Sequence, residues 1–383
     1  MIISSKQLLA SFIAASMAFT SLPSVACTML SYTDAKGNMY VGRTNEYPGM
    51  LPDELTYYPV GTRIESITPD GRQGHVFKTK YAILGATLKG MVPNAKQDTV
   101  HEAVNDQGLS ISVLEFTENG QPKITAAPDK VLSVLDFGTW ALGSFSSIRE
   151  LKASLDKDGF QFWLPRIPSM GNVIAPVHFS IADRSGELAV IEFTDGKLMM
   201  YQNPAGVLAN DPAFPWHLKN LQNYAGLTNI DKNNGQFNKF KATAPDAGGA
   251  LRGLPASNIS PDRFIKAAYY SNFAEKAKTP DAAILTLSHV MNNFDRPAGI
   301  TIDKPSASSV GESVASSKPT SEVTFFTALK DLNRNLYFIR TIDMMNFVKI
   351  DIQKLSGVKS VKAVSFSALA KHPSFNAEEL FMK

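Results

Sequence analysis

Cysteine is nearly absent from this chain, which has 383 residues and only Cys27 as a thiol. A single cysteine excludes an intramolecular disulfide framework and the paired CxxC spacing of a zinc or redox site. The ordinary interpretation of a lone cysteine is a small buried hydrophobic side chain. The position of this one, directly after a leader-like segment, indicates a different role.

A strong charge of one sign is also missing, because 38 basic residues stand against 35 acidic ones and the net charge is +3. No long basic run occurs, so we expect neither a nucleic-acid partner nor an anionic membrane partner. The histidines are scattered without HxxxH spacing, so we expect no metal site and no cofactor. After the first 26 residues no apolar run is long enough to cross a bilayer, so we expect no membrane anchor.

The first 26 residues have the pattern of a secretory signal peptide. Lys6 supplies a positive start, and the stretch from Leu8 to Phe19 is apolar and rich in Ala. Ser24-Val25-Ala26 then places small residues at the positions that a signal peptidase requires. The sequence therefore predicts cleavage after Ala26 and a mature chain over 27–383.

Cleavage at this point would leave Cys27 with a thiol and a free α-amine on one residue. An α-amine has a pKa of about 7.7–8.0, so it can act as general base for its own side chain. This combination is the chemistry of an N-terminal nucleophile (Ntn) hydrolase. The alternative of another class is an anchored binding lipoprotein, whose cysteine carries a lipid on the sulfur. Lipoprotein signals usually have an aliphatic residue three positions before the cysteine, where this chain has Ser24.

Runs of strand-forming residues around Gly- and Asn-containing connections predict antiparallel hairpins. They comprise Thr28 to Thr33 with Met39 to Thr44, Thr99 to Val104 with Leu109 to Phe116, the meander of Val177 to Ala182, Glu187 to Phe193 and Lys197 to Gln202, and Val323 to Leu329 with Leu336 to Ile342. Helical spacing predicts one or two helices in Lys130 to Leu155, and helices Phe264 to Lys278 and Ala282 to Phe294 with N-caps at Ser260 and Thr279. Thr301 to Ser321 reads as a surface loop. Strand groups with inserted helices favour a single α+β layered domain.

The first hairpin returns the chain to Cys27. In one register Cys27 faces Asn45, and Arg43 lies diagonally on the same face. A shift by one residue would bring Glu46 opposite Cys27 instead. Both registers place these polar residues beside the thiol.

The mature chain resembles the choloylglycine hydrolase family, which includes bile salt hydrolases and penicillin V acylases. The matching segments follow one another in order along most of the chain. They are Cys27-Thr28, Gly42-Arg43-Thr44-Asn45-Glu46, Lys80-Tyr81-Ala82-Ile83-Leu84-Gly85, Asn105-Asp106-Gln107-Gly108-Leu109, Gly206-Val207-Leu208-Ala209-Asn210-Asp211-Pro212, Phe214-Pro215-Trp216-His217-Leu218 and Asp262-Arg263-Phe264-Ile265. The resemblance implies a four-layer αββα Ntn-hydrolase sandwich of antiparallel sheets, often assembled as a homotetramer.

The resemblance also implies roles for the matched residues. Cys27 would be the nucleophile, and Arg43 would lower the pKa of its thiol. Glu46 stands at the family's aspartate position, where a carboxylate holds the α-amine by a charge-assisted hydrogen bond. Asn210 would donate a side-chain N–H to the oxyanion, and Arg263 would belong to the charge network of the site.

Other residues are expected near the substrate. Glu115 stands where relatives carry Asn or Tyr near the oxyanion hole, and a carboxylate cannot donate a hydrogen bond unless it is protonated. Tyr47, Met50, Phe116 and Trp163 are candidates for an apolar acyl pocket. Aromatic side chains at such positions are more often part of a core.

These observations predict an exported amidohydrolase that cleaves a linear amide between an apolar or aromatic acyl group and an amine, through a thioester. The resemblance is strongest to penicillin V acylases of Gram-negative bacteria. This implies a periplasmic enzyme acting on phenoxymethylpenicillin or N-acyl homoserine lactones. Hydrolysis of conjugated bile salts is the alternative within the enzyme class.

Overall fold

The computed structural model describes residues 26–47, 53–91, 94–170, 172–302, 319 and 321–382. The strands are β1 (Cys27–Thr33), β2 (Met39–Tyr47), β3 (Asp53–Tyr58), β4 (Arg63–Ile67), β5 (Gln73–Lys78), β6 (Ile83–Leu88), β7 (Thr99–Asn105), β8 (Ser110–Glu115), β9 (Val131–Ser133), β10 (Gln161–Trp163), β11 (Arg166–Ile167), β12 (Val173–Ile174), β13 (Val177–Ala182), β14 (Leu188–Thr194), β15 (Lys197–Gln202), β16 (Val207–Leu208), β17 (Asn234–Phe237), β18 (Phe240–Thr243), β19 (Val323–Asp331), β20 (Leu336–Thr341), β21 (Val348–Asp351) and β22 (Lys362–Ser365). The helices are α1 (Phe137–Ser144), α2 (Ile148–Lys157), α3 (Phe214–Leu221), α4 (Ser260–Phe273), α5 (Pro280–Met291), α6 (Phe366–Ala370) and α7 (Glu379–Met382).

Two antiparallel sheets form the centre of the molecule. One has the strand order β16-β1-β2-β19-β20-β21, and the other has the order β15-β14-β13-β8-β7-β6-β3-β22. Side chains of the six-stranded sheet reach the other sheet directly, since the Arg43 guanidinium donates to the Val113 carbonyl at 2.7 Å. The alternation of β2 therefore points Arg43 between the sheets and its neighbours Gly42 and Thr44 away from them.

Helices cover the outer faces of both sheets. Helices α4 and α5 contact β1 and β2 of the six-stranded sheet, while α1 contacts β7 and β8 of the other. Gly42 permits the close approach of α5, because a Cβ atom there would lie 2.7 Å from the Met291 sulfur. The order helix, sheet, sheet, helix confirms the four-layer αββα architecture expected from the sequence.

The predicted hairpins are confirmed. Strand β1 pairs with β2 so that Thr33 faces Met39 and Cys27 faces Asn45. The alternative register, with Glu46 opposite Cys27, does not occur. Antiparallel pairs also join β7 to β8, β13 to β14, β14 to β15, and β19 to β20.

Helix boundaries agree less well. The segment Lys130 to Leu155 does contain two helices, but residues 131–133 form β9, which pairs in parallel with β10. Helix α4 begins at Ser260 itself, so Ser260 is not its N-cap, and it ends at Phe273 rather than Lys278. Thr279 does cap α5, because its hydroxyl accepts from the Ala282 N–H. The predicted loop 301–321 lies mostly outside the described residues.

Candidate active site

Cys27 opens strand β1 and is 2% exposed. The peptide bond to Ala26 is present in the described chain, and the Ala26 carbonyl accepts the Glu46 backbone N–H at 2.9 Å. Residues 1–25, which the sequence predicts to belong to a signal peptide, lie outside the described residues. In this geometry the nitrogen of Cys27 is the amide of the peptide bond to Ala26, whereas the predicted cleavage would make it a free amine.

The thiol lies between the two sheets. The Arg43 Nη2 atom is 3.3 Å from the Cys27 sulfur and 2.9 Å from the Asn45 side-chain oxygen. The sulfur also lies 3.4 Å from that oxygen. The Asn45 oxygen therefore links Arg43 to the thiol. The predicted hairpin register placed Asn45 opposite Cys27 but indicated no role for its side chain.

Burial raises the pKa of the Cys27 thiol above its ordinary value, and this effect outweighs the neighbouring Arg43, which lowers it. Glu46 and Glu115 add to the increase, whereas Arg263 opposes it. The expected direction of the Arg43 effect is correct, but Arg43 alone does not make the thiol acidic. A base next to the thiol is needed before it can attack, because only the thiolate is strongly nucleophilic.

The backbone nitrogen of Cys27 has a different hydrogen-bond partner from its thiol. It donates to the Asn210 Oδ1 atom at 2.8 Å, and that oxygen also accepts from Arg263 Nη2 at 2.6 Å. Two donors on one atom identify it as the amide oxygen. The Asn210 amide nitrogen donates to the Glu115 carbonyl at 3.0 Å. The oxyanion role of Asn210 would fall to its second side-chain N–H and stays a prediction, while its side-chain oxygen orients the nitrogen of Cys27.

Arg263 connects the start of β1 to helix α4. Its Nη1 atom donates to the Cys27 carbonyl and, at 2.9 Å, to the Thr28 hydroxyl. Burial lowers the pKa of Arg263 to about 10, and Glu46 opposes that shift. Arg263 is buried and contacts the backbone of Cys27, while the role in a catalytic charge network that the resemblance implies for it stays a prediction.

Glu46 is fully buried on the face of β2 that is turned towards the helices. Its Oε1 atom accepts from the Thr324 hydroxyl at 3.2 Å. Burial raises the pKa of this carboxyl, and the cations Arg263 and Arg296 counteract the increase. The backbone of Glu46 faces Ala26, so the predicted contact between its carboxylate and the α-amine stays a prediction for the cleaved chain.

The residues predicted to line the acyl pocket have different surroundings. Tyr47 is half-buried, and burial together with Glu115 raises the pKa of its hydroxyl. Phe116 is fully buried and stacks on His178 with ring centroids 5.0 Å apart, so its ring lines no open surface in this state. Trp163 is half-buried in β10, and its indole N–H donates to the Ile67 carbonyl at 2.6 Å. Met50 lies outside the described residues.

Two buried charged residues beside Arg43 were missed by the sequence reasoning. Glu102 on β7 and Lys330 on β19 are 0% exposed and form an ion pair. Glu102 also lies 3.5 Å from the Arg43 Nε atom. In the sequence Glu102 stands next to His101, and Lys330 next to Asp331, so neither charge is marked as buried or paired by its strand alone.

Within the described ranges, no group of three or more His, Cys, Asp or Glu side chains could hold a metal ion. In the same ranges, no helix combines the length and the apolar character that a transmembrane span needs. The groups available in the site are a thiol, the backbone nitrogen of Cys27, two guanidinium groups and amide side chains.

Comparison with known proteins relates this site to one family. Residues 27–361 match the family model described as linear amide C–N hydrolases, choloylglycine hydrolase family. A bile salt hydrolase/transferase from Lactiplantibacillus plantarum is 27% identical over 336 residues, which cover 86% of this chain and 94% of that protein. A penicillin V acylase from Pectobacterium atrosepticum is 24% identical over 357 residues, which cover 88% of this chain and 83% of that protein.

The fold is similar to a solved structure as well. A mutant conjugated bile acid hydrolase from Clostridium perfringens superposes with a TM-score of 0.73 and 24% identity. The similarity covers 89% of this chain and 97% of that one.

Proposed function

The chain belongs to the choloylglycine hydrolase family of linear amide C–N hydrolases, and we propose that its nucleophile is Cys27 after removal of residues 1–26. One observation carries the proposal. The thiol of Cys27 lies 3.3 Å from Arg43, while the nitrogen of the same residue lies 2.8 Å from Asn210. Both reactive groups of an N-terminal nucleophile are thus held by separate partners.

The proposed reaction starts with the free α-amine of Cys27. The amine accepts the thiol proton, and the thiolate attacks the amide carbon of the substrate. The amine then delivers the proton to the departing nitrogen, which leaves a thioester on the sulfur. Water, activated by the same amine, hydrolyses the thioester and releases the acid. Apart from the attacking water, these reaction steps use only groups of the chain itself.

The comparisons favour conjugated bile salts over penicillin V as the first substrate class to test. The bile salt hydrolase/transferase of L. plantarum is aligned over 94% of its length at 27% identity, whereas the penicillin V acylase of P. atrosepticum is aligned over 83% at 24%. Our sequence-based preference for a penicillin V acylase is therefore confirmed only at the level of the family. Phenoxymethylpenicillin and N-acyl homoserine lactones remain the second candidate, supported by the penicillin V acylase similarity.

The cellular and quaternary assignments are proposals too. We propose export to the periplasm with cleavage after Ala26, on the signal-like sequence alone. The burial of Cys27, which is 2% exposed, supports an enzyme rather than a lipoprotein, because a lipid on its sulfur would have to displace Arg43. A homotetramer is proposed from the family resemblance. The exposed rings of Phe237 and Phe240, at 73% and 68%, are consistent with self-association.

The test uses the exported protein and its only cysteine. Intact mass should show a chain starting at Cys27, and the purified enzyme should hydrolyse one or more of glycine- or taurine-conjugated bile salts, phenoxymethylpenicillin and N-acyl homoserine lactones. Since no other thiol exists, alkylation modifies Cys27 alone.

We expect Cys27→Ala to lose at least about 10³-fold in kcat/KM, as for other residues that carry a covalent step. Full activity in Cys27→Ala, or a lipid-sized mass increase on Cys27, would rule out the proposed nucleophile. Turnover of only the penicillin or lactone substrates would reject the bile salt assignment and leave the mechanism intact.

A further inference from the structure

Three charged side chains form a buried group between the two sheets, which we call the inner cluster: Arg43, Glu102 and Lys330. Lys330 is in direct ion-pair contact with the Glu102 carboxylate. Arg43 is farther from it, at 3.5 Å between Nε and Oε2. Each of the three side chains is at most 2% exposed.

Strand register brings these residues together. In the β2–β19 pair Arg43 faces Ala328, and Lys330 lies two positions farther along β19. Because alternate residues of a strand share a face, Arg43 and Lys330 both point between the sheets. Glu102 reaches them from β7 of the facing sheet. The contact therefore exists only when the two sheets are stacked.

A buried lysine–glutamate pair is a poor device for stability alone. Desolvating both charges costs about as much as their attraction returns, and apolar residues of similar size are often as stable or more so. Lys330 donates to the Ile111 carbonyl at 3.4 Å and the Ser112 hydroxyl at 3.3 Å, which only partly replaces water. Its position beside an arginine that contacts the nucleophile indicates a functional reason.

The charges of the inner cluster do not cancel. Two cations share a single carboxylate, and the closer partner of that carboxylate is Lys330. Without Lys330, Glu102 would neutralise Arg43, and the sulfur would face no net positive charge from this side. We infer that Lys330 is a positioning residue that neutralises Glu102 and so leaves the charge of Arg43 available to the Cys27 thiolate. This inference rests on the proposed role of Cys27.

Other charged groups around the thiol stay the same when Lys330 is changed. Arg263 from α4 favours the thiolate, whereas Glu46 from β2 and Glu115 from β8 oppose it. Around Glu102, the Tyr337 hydroxyl donates to the backbone carbonyl at 3.2 Å and not to the carboxylate. Burial and Glu102 raise the pKa of Tyr337, so it stays neutral in the pH range of the test.

The test measures the pKa of the thiol, with no substrate present. Ultraviolet absorbance of the thiolate is followed against pH in the mature enzyme, and the same titration of Cys27→Ala is subtracted to remove tyrosine ionisation. We expect Lys330→Met to raise the midpoint by about one pKa unit, as expected for loss of one nearby buried charge. Lys330→Gln keeps donors for Ile111 and Ser112 and should raise it equally, so a folding failure of one variant leaves the other as the test.

A double variant separates charge from structure. In Glu102→Gln/Lys330→Met the carboxylate is gone as well, so Arg43 again faces the thiolate without competition and the midpoint should return to the wild-type value. Lys330→Arg keeps the cation and should leave the midpoint at the wild-type value. Lys349→Gln is the matched control, because Lys349 lies on β21 of the same sheet and has Phe375 as its ring partner rather than Glu102.

An unchanged midpoint in folded Lys330→Met or Lys330→Gln would overturn the inference, even if activity fell, since loss of activity alone fits a structural role. A midpoint that stays raised in the double variant would do the same. Failure of the proposed function is recognised separately, because the wild-type enzyme would then turn over no amide while the titration could still be read.

Discussion

Charged residues lie on both faces of strand β2, and the two groups differ in their balance. The inner cluster, between the sheets, has two cations for one carboxylate. On the face towards the helices lies what we call the outer cluster, which has two cations and two carboxylates: Arg263, Arg296, Glu46 and Glu322. One face has a surplus of positive charge, and the other is neutral overall.

The two clusters also contact different parts of Cys27, the proposed nucleophile. Arg43 of the inner cluster contacts the sulfur, whereas Arg263 of the outer cluster contacts the Cys27 carbonyl and the Asn210 oxygen that holds the nitrogen. A surplus cation is useful beside a group that becomes negative. A neutral cluster is suited to holding a backbone in place without favouring either protonation state.

The largest expected effect comes from removing one arginine from each cluster. Arg43→Met should raise the thiol pKa by one to three units, roughly, because the closest cation is lost. Arg263→Met should raise it less, since Arg43 is the larger of the two influences on the thiol. Both should also lower the free energy of unfolding, by about 1–3 kcal/mol for each buried oxygen that loses its donor, namely the Asn45 and Val113 oxygens for Arg43 and the Cys27 and Asn210 oxygens for Arg263. Thiolate titration and urea unfolding of the two variants provide the measurement.

Equal shifts of the thiol pKa in the two arginine variants would contradict the division of roles. Lys349→Gln serves here too as the control for a lost positive charge on the six-stranded sheet.

A smaller effect is expected for His217, which packs against helix α4 next to the outer cluster. His217 is fully buried, stacks on Phe264 of α4, and its Nε2–H donates to the Asn210 carbonyl at 2.9 Å. Burial lowers the pKa of His217 from 6.5 to about 4. The unfolded chain therefore takes up a proton as the pH falls below 6.5, while the folded protein does not until about pH 4.

The stability linked to His217 is thus fully present above pH 6.5 and is lost between pH 6.5 and about 4. A shift of this size corresponds to about 3 kcal/mol. We expect the difference in unfolding free energy between the wild type and His217→Gln to shrink by this amount over that range, measured by urea unfolding at several pH values. A constant difference would mean that His217 does not resist protonation.

The smallest expected effect is that of Glu46→Gln, which should lower both the activity and the thiol pKa. If Glu46 holds the α-amine as the resemblance implies, Glu46→Gln should lower kcat about tenfold, because the amine would lose a charged hydrogen-bond partner worth about 1.5 kcal/mol. The same change should lower the thiol pKa slightly, since the charge of Glu46 raises it. Activity and thiol acidity therefore move in opposite ways, which the thiolate titration and the rate assay detect together. A raised thiol pKa in folded Glu46→Gln would contradict the expectation that the charge of Glu46 disfavours the thiolate.

The hairpins were predictable because their pairing is local. Strands β1 and β2 are joined by Asp34 to Asn38, and a short connection with a glycine at positive φ leaves few registers. Strand β9 was missed because residues 131–133 pair in parallel with 161–163, a partner that no local pattern reveals. The N-cap at Ser260 was wrong because the helix already includes that residue, whose hydroxyl is buried.

By itself the sequence determined that one thiol exists, that it follows a segment with the pattern of a signal peptide, and that a hairpin returns Arg43, Asn45 and Glu46 to it. Only the tertiary structure decided that Glu102 and Lys330 meet Arg43, and that Asn210 turns its oxygen to the nitrogen of Cys27. The reason is physical. Alternation along a strand follows from the order of residues, whereas contacts between two sheets depend on how the sheets stack and on which buried charges must find partners.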